Sequence, residues 1–449
     1  MNTILNFSFL SRKAGLLAGN LLFIMSMAMI LPACTDQDGI AEPQSVPATR
    51  SVAALSATEL PGISFQSLLE IAATLATAGV DVLSPILEAL DVPGDIASAY
   101  LRTIKVSTPF PHPNGSGEMI DISGVLIVPV ETTDSLRFVI SPVPTYTENG
   151  SAPSNIFAGE TPLLYDNFLN YLYFTALNAI QGCAIFMPDY PGYGDSYKQC
   201  FHPYAVKDVM VNSTIELAKV AQEVLTEYGY AYKRDAIITG YSQGGLVATA
   251  VGRELDLYGE QYDLPINLLL GGGVPAELID LIDVARVILP APGSLPFSFI
   301  FPYAILGFKE NIAPELELAD LLKAPYDVTC YDIFDGQHSV VQAIAGFPLY
   351  NAGLLTRDVM LNNTANPSVA RLRELLADNS IEPWANKAPV VFVHGKVDEA
   401  VYYSNIVDFV AAMEEVGGTP ELHTNPLTEH TLTLLDYFIE LAGYITAYK

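Results

Sequence analysis

What most restricts the fold is a series of short runs that are largely apolar at successive positions rather than at alternate ones. They lie at residues 103–107, 124–129, 138–143, 184–188, 236–241, 268–271, 390–394 and 421–424, most are rich in Val and Ile, and turn residues bound them. Strands buried on both faces have this character, because neither face needs a polar side chain. Between the runs lie helical patterns, the clearest at residues 204–228. There Val206, Val209, Met210, Leu217, Val220, Ala221 and Val224 fall close to one face of a 3.6-residue period. Strand and helix therefore alternate. The predicted class is α/β, a mostly parallel sheet flanked by helices, with functional groups at the C-terminal ends of its strands.

The alternation is interrupted between residues 273 and 389, a gap of roughly a hundred residues that exceeds ordinary loop lengths. We expect residues 275–388 to form an inserted, mainly helical cap, which divides the core into residues 102–274 and 389–449. Within it, residues 288–308 carry Leu, Phe, Ile and Tyr with repeated Pro and few charges. That composition suits the small core of a cap, and as a whole it suits the wall of an apolar substrate site. Residues 58–101 carry Leu68, Leu69, Ile71, Ala72 and Leu75, then Ile86, Leu87 and Leu90, at helical spacing, and predict a helical N-terminal extension.

The N-terminus reads as an export signal over residues 1–33. Arg12 and Lys13 precede an apolar run, residues 16–31, that is short for a membrane span. The run ends in Leu31-Pro32-Ala33-Cys34, which resembles a bacterial lipobox and marks Cys34 as the lipid-anchor residue, although Pro departs from the usual pattern. Residues 34–57, rich in Ser, Thr, Ala, Pro and Gln, would then be a tether. The expected location is the cell envelope, at a bacterial membrane and with outward display weakly suggested by Asp36 and Asp38. A formal charge of −29, from 50 acidic against 21 basic residues, disfavours nucleic acid and anionic membrane surfaces as partners. Of the 4 cysteines, Cys183 sits in an apolar run and reads as a core residue, while Cys200 and Cys330 are the pair that an oxidising compartment could join. No spacing resembles a metal site.

The strongest chemical signal is Ile237-Ile238-Thr239-Gly240-Tyr241-Ser242-Gln243-Gly244-Gly245, a G-x-S-x-G turn between an apolar strand and a helix-compatible segment. To raise its hydroxyl above the sheet, Ser242 must adopt a strained conformation in a tight turn. Gly240 and Gly244 supply the lack of bulk this requires, and Gly245 permits close approach of helix and strand. A serine hydroxyl is a weak nucleophile until a base removes its proton, and the base needs an acid to hold its tautomer.

Four histidines follow Ser242: His338, His394, His423 and His430. His338 falls in the cap, His394 ends a strand and suits support of the acid loop, and His423 lies within the last strand. His430 follows that strand and opens the final helix, so we assign it as base, with His423 as the alternative. In His394-Gly395-Lys396-Val397-Asp398-Glu399-Ala400-Val401, Asp398 lies just beyond a buried strand and is the expected acid, Glu399 being its neighbour and alternative. Two N–H donors must hold an oxyanion. One is expected from Gln243. The other should lie after residues 138–140, where Pro142 and Pro144 have no N–H, which leaves Val143, Thr145 or Tyr146; we assign it to Thr145. Asp189 and Asp195, in Asp189-Tyr190-Pro191-Gly192-Tyr193-Gly194-Asp195-Ser196, read as loop scaffolding.

On these motifs, from about Arg102 to the C-terminus, the chain resembles the α/β-hydrolase superfamily. Gly271-Gly272-Gly273-Val274-Pro275-Ala276-Glu277-Leu278, the long insertion after it and the Gly-Tyr-Ser turn are similar to the secretory lipase family, lipase A-like proteins among them. That resemblance implies hydrolysis of carboxylic esters, often acylglycerols, by a serine nucleophile. A Pro-Val-Pro segment stands where the family commonly carries a His-Gly pair. The expected activity is that of a lipase or esterase acting on a small-molecule or lipid ester without metal or organic cofactor. Its rivals are a serine peptidase or carbohydrate esterase on the same fold, and a non-catalytic surface binding lipoprotein.

Overall fold

A computed structural model describes residues 56–64, 100–130, 132, 134–156, 182–285, 297–348 and 351–447. The leader, Cys34, nearly all of the tether, residues 65–99 of the expected extension and residues 288–296 of the apolar stretch lie outside them.

Nine strands form one sheet in the order β1-β2-β3-β5-β4-β6-β7-β8-β9. They are β1 (Ser56–Ser64), β2 (Tyr100–Pro111), β3 (Met119–Pro129), β4 (Leu136–Ile140), β5 (Cys183–Pro188), β6 (Tyr232–Tyr241), β7 (Ile266–Gly272), β8 (Val390–Gly395) and β9 (Glu421–Asn425). The first three and the β3/β5 junction pair antiparallel, and every pairing from β5 to β9 is parallel. Each apolar run of the sequence lies on a strand, except that the run 138–143 continues three residues past the end of β4 at Ile140. Every residue of β4, β5 and β8 is buried, the condition that helices on both faces impose and the reason these runs do not alternate. The edge strand β9 has no buried residue.

The helices that matter for the site are α1 (Lys207–Glu227), α2 (Gln243–Tyr262), α3 (Leu278–Ala285), α4 (Ile300–Asn311), α5 (Pro367–Asp378), α6 (Tyr403–Glu415) and α7 (His430–Ala447). In α1 the predicted stripe is the inward one: Met210, Leu217, Ala221 and Val224 are buried. Between β7 and β8 the described residues form helices and turns and no strand.

The helical extension over residues 58–101 does not hold at its two ends. Ser56–Ser64 is an edge strand paired with β2, and Tyr100 and Leu101 already belong to β2. Pro61 and Gly62 lie within this strand. The chain takes them up where the register shifts between Leu60 and Ile63, as an edge strand can because one side of it has no ladder to complete. The strand also consumes the last two positions of the expected tether, Ser56 and Ala57.

Strand order sets the position of the site. From β4 the sheet runs to β5 on one side and β6 on the other, so the connections leaving β4 and β6 diverge and leave a crevice at their carboxyl ends. The loop after β4 and the turn after β6 both open into it. Among the described residues no helix is long and apolar enough to cross a membrane.

Candidate active site

Ser242 joins β6 to α2 with φ 56° and ψ −120°, a conformation costing a non-glycine residue on the order of 1–3 kcal/mol that surrounding structure must hold. Its N–H donates to Gly272 O at 2.9 Å, and its carbonyl accepts from Leu246 N at 2.9 Å. A Cβ on Gly240 would stand 2.2 Å from Gly244 O, and one on Gly244 would stand 2.3 Å from Pro142 O. The turn therefore closes only with glycine at both places. The second distance also shows the loop after β4 lying directly on the start of α2.

The hydroxyl of Ser242 is 2.9 Å from His430 Nε2, and His430 Nδ1 is 2.8 Å from Asp398 Oδ2. Asp398 sits in the turn after β8, its side chain fully buried. Its other oxygen, Oδ1, accepts from Ala400 N at 3.0 Å and Val401 N at 2.8 Å. Both oxygens are thus engaged, which fixes the carboxylate plane. His430 opens α7 and is buried between rings, Tyr241 at 5.2 Å and Phe297 at 5.4 Å, while the Tyr241 hydroxyl donates to His430 O. Burial works against an imidazolium there, but the charge and hydrogen bond of Asp398, helped by Glu399 and Glu429, outweigh it and hold the His430 pKa above its ordinary value. Three residues from three loops thus form one hydrogen-bonded line, in which Nε2 can accept the serine proton and Asp398 can hold the tautomer that permits it.

The other histidines fall elsewhere. His394 is fully buried, bonds Val401 O through Nε2 at 2.8 Å and lies 3.6 Å from Asp398 Oδ2, so it supports the acid loop as expected. His423 is half-buried between Glu421 at 3.4 Å and Glu440 at 3.1 Å, on an edge strand away from Ser242. His338 lies in the inserted segment against Asp335, with Nδ1 2.9 Å from its Oδ1. Glu399 turns to the backbone of His430 rather than to its ring, its Oε2 accepting from His430 N at 3.1 Å.

Gln243 is the first residue of α2, so its N–H is among the free donors of a helix N-terminus beside the Ser242 hydroxyl. Thr145 lies in the loop after β4, half-buried, with its hydroxyl 3.0 Å from that of Tyr204. A buried set of rings holds this region. Tyr190 OH donates to Val143 O, Tyr190 N donates to Tyr146 OH at 3.2 Å, and Tyr193 OH bonds Tyr303 OH from α4. His202 stacks on Tyr190 at 5.3 Å and reaches Gln243 Nε2 at 2.9 Å, its Nδ1 lying 3.0 Å from Pro191 O. Burial lowers its pKa to about 3, so it is neutral, with Nδ1–H donating to Pro191 and Nε2 accepting from Gln243. The sequence reading missed His202 and these tyrosines. The one local signal was the density of Tyr190, Tyr193, His202 and Tyr204 after β5.

Asp189 is buried and accepts from Ser123 at 2.5 Å and from the Ser154 hydroxyl at 2.6 Å, while Asp195 pairs with Lys105; both are scaffolding as read. Cys183, Cys200 and Cys330 are all free thiols, so the Cys200–Cys330 pairing is not formed. Cys183 is fully buried in β5, and burial raises its thiol pKa to about 12. Among the described residues no cluster of ligating side chains suits a metal ion.

Comparison of the fold with solved structures finds a protein of Legionella pneumophila at TM-score 0.70 and 18% identity, covering 88% of this chain and 97% of that one. The rice cell wall degrading esterase LipA from Xanthomonas oryzae is similar at TM-score 0.68 and 18% identity, covering 88% and 96%. Candida antarctica lipase A is similar at 0.56 and 16%, covering 74% and 73%. At these identities the likeness is one of fold. A search by sequence among curated proteins finds no match. Residues 158–434, more than half of the chain, match the model of the alpha/beta hydrolase family, and the chain belongs to that family.

Proposed function

We propose that the chain is an exported, lipid-anchored serine hydrolase of carboxylic esters, a lipase or esterase. The observation that carries this is the continuous line from Ser242 Oγ through His430 to Asp398. In the proposed cycle Ser242 Oγ attacks the ester carbonyl carbon while His430 Nε2 takes its proton. The oxyanion forms against Gln243 N–H and a donor of the loop after β4, assigned to Thr145. His430 then returns the proton to the departing alkoxide, which leaves as alcohol with Ser242 acylated. Water, deprotonated by the same Nε2, attacks the acyl carbon and restores the serine. Each step uses groups of this chain, and the reading needs no metal or organic cofactor.

The lipobox-like Cys34 after an apolar leader supports export and anchoring at a membrane. Apolar side chains of the inserted segment beside the site, Phe297 among them, support an ester with an apolar moiety. A second reading, an esterase acting on a cell-wall polymer, is favoured by the likeness to the Xanthomonas oryzae esterase. A non-catalytic binding protein is disfavoured because no group of the line is missing.

Hydrolysis of p-nitrophenyl esters from acetyl to palmitoyl, with Ser242→Ala as blank, tests the proposal. A Ser242-dependent rate that rises with chain length is the expected result for a lipase. A preference for acetyl moves the reading to the polymer esterase, and no hydrolysis of any ester overturns it.

A further inference from the structure

Glu399 is a carboxylate in contact with the base residue that the cycle above does not use. It follows Asp398 in the turn after β8, is half-buried, and reaches across to α7, where its Oε2 accepts from the N–H of His430 at 3.1 Å. Its Oε1 is buried and has no hydrogen-bond partner among the described residues. Glu429 lies on the other side, its two oxygens accepting from Thr431 N at 3.0 Å and Leu432 N at 3.2 Å. The first N–H groups of an 18-residue helix are thus shared between two carboxylates, one from the turn that carries Asp398 and one from the turn that leads into His430.

A base at the first position of a helix has an electrostatic handicap. The free N–H groups carry partial positive charge, which disfavours an imidazolium beside them and so weakens the imidazole as a base. Carboxylates on those same N–H groups offset that charge. A neutral Asn or Ser would cap the helix equally well and without burying a charge. What the Glu399 carboxylate adds is its charge, with its buried Oε1 unpaired among the described residues.

We propose that Glu399 is a positioning residue for the base: it pins the backbone of His430 to the acid loop and, with Glu429, cancels the positive helix end beneath the imidazole. The inference rests on the hydrolase reading only in taking His430 as the base. The groups facing Glu399 are Asp398 on its own turn, Tyr402 leading into α6, Tyr241 of the serine turn, and Glu429 and His430 at the start of α7. Of these only His430 can become positive. Burial, and then the charges of Glu429 and Asp398, raise the Glu399 pKa to about 7, against the hydrogen bond from His430. Its charge is therefore gained near neutrality.

The test is the titration of the His430 ring by NMR, with the pH profile of kcat/KM, in the wild type, Glu399→Gln and Glu399→Ala. Gln keeps an acceptor for His430 N–H and removes the charge. Its ring is expected to titrate at lower pH than the wild type, with the acid limb of kcat/KM following in the same direction and plateau kcat largely kept. Ala also removes the tether, and kcat should fall roughly tenfold or more with KM within about twofold. A His430 titration in Glu399→Gln that matches the wild type overturns the proposal. The NMR arm needs no substrate, so a moved titration in a protein that cleaves no ester would uphold this role and refute the esterase reading instead.

Discussion

Replacing Asp398 by Asn should remove the activity while leaving the fold intact, and the hydrogen bonds of this residue say why. Its Oδ1 accepts from two backbone N–H groups, Ala400 and Val401, while Oδ2 faces His430 Nδ1. An Asn in the same rotamer must place its carbonyl oxygen on the two N–H donors, because its NH2 group there would meet donor with donor. The NH2 group is then turned on His430 and donates to Nδ1. His430 must take the tautomer with its proton on Nε2, aimed at Ser242, and in that state it cannot accept the serine proton. Burial of the ring, no longer opposed by the Asp398 charge, would also lower its pKa. Loss of the correct tautomer in such a triad costs on the order of 10⁴ in kcat, about 5.5 kcal/mol of barrier. Every hydrogen bond at residue 398 survives in number, so the melting temperature should stay within about 5 °C of the wild type. The assay is steady-state hydrolysis of a p-nitrophenyl ester beside a thermal melt, with Ser242→Ala as blank. A folded Asp398→Asn protein within tenfold of wild-type kcat would refute the reasoning.

Other substitutions test other parts of the site. His430→Ala should reduce kcat to the level of Ser242→Ala, whereas His423→Ala, which loses only ion pairs at a half-buried edge, should stay within about twofold; the reverse outcome would exchange the two roles. Gly244→Ala sets a Cβ 2.3 Å from Pro142 O, and soluble expression or melting temperature should drop sharply; a wild-type melt would contradict the packing of the loop on α2. If the Thr145 N–H is the second oxyanion donor, Thr145→Pro should lower kcat about 10²- to 10³-fold while Thr145→Val, which keeps the N–H, should cost far less; equal effects would move the donor elsewhere in the loop. Cys34→Ser in cells should release the protein from the membrane fraction, and an unchanged distribution would contradict lipid anchoring.

What could be read in advance follows from how tightly each feature is bound to local sequence. The central strands were legible because β4, β5 and β8 are buried on both faces and so cannot hide polar residues. The serine turn was legible because its geometry excludes side chains at Gly240 and Gly244, and the placing of His430 beside Ser242 because few histidines follow that turn. Strand β1 was not, since an edge strand of mixed polarity containing Pro61 and Gly62 owes its form to β2, a partner about 40 residues away. The ring cluster behind the loop after β4 joins Tyr146, Tyr190, His202, Tyr204 and Tyr303 from three separate segments, and only the folded sheet brings them together. Glu399 was weighed as an acid from its position; that it would accept from the backbone N–H of His430 depended on how closely the turns after β8 and β9 approach. A Cβ at Gly395 would stand 2.1 Å from Thr428 O, and that contact sets the approach.

The central claim is that Ser242 becomes covalently acylated. It is tested most directly by treating the protein with a p-nitrophenyl phosphonate ester, which reacts with an activated serine and is not released, and locating the adduct by peptide mass spectrometry. The account predicts one adduct per chain, on the peptide carrying Ser242, with release of p-nitrophenol in equal amount, and none in Ser242→Ala or at the same rate in His430→Ala. An adduct on another residue, or an unmodified Ser242 in folded protein, would contradict it.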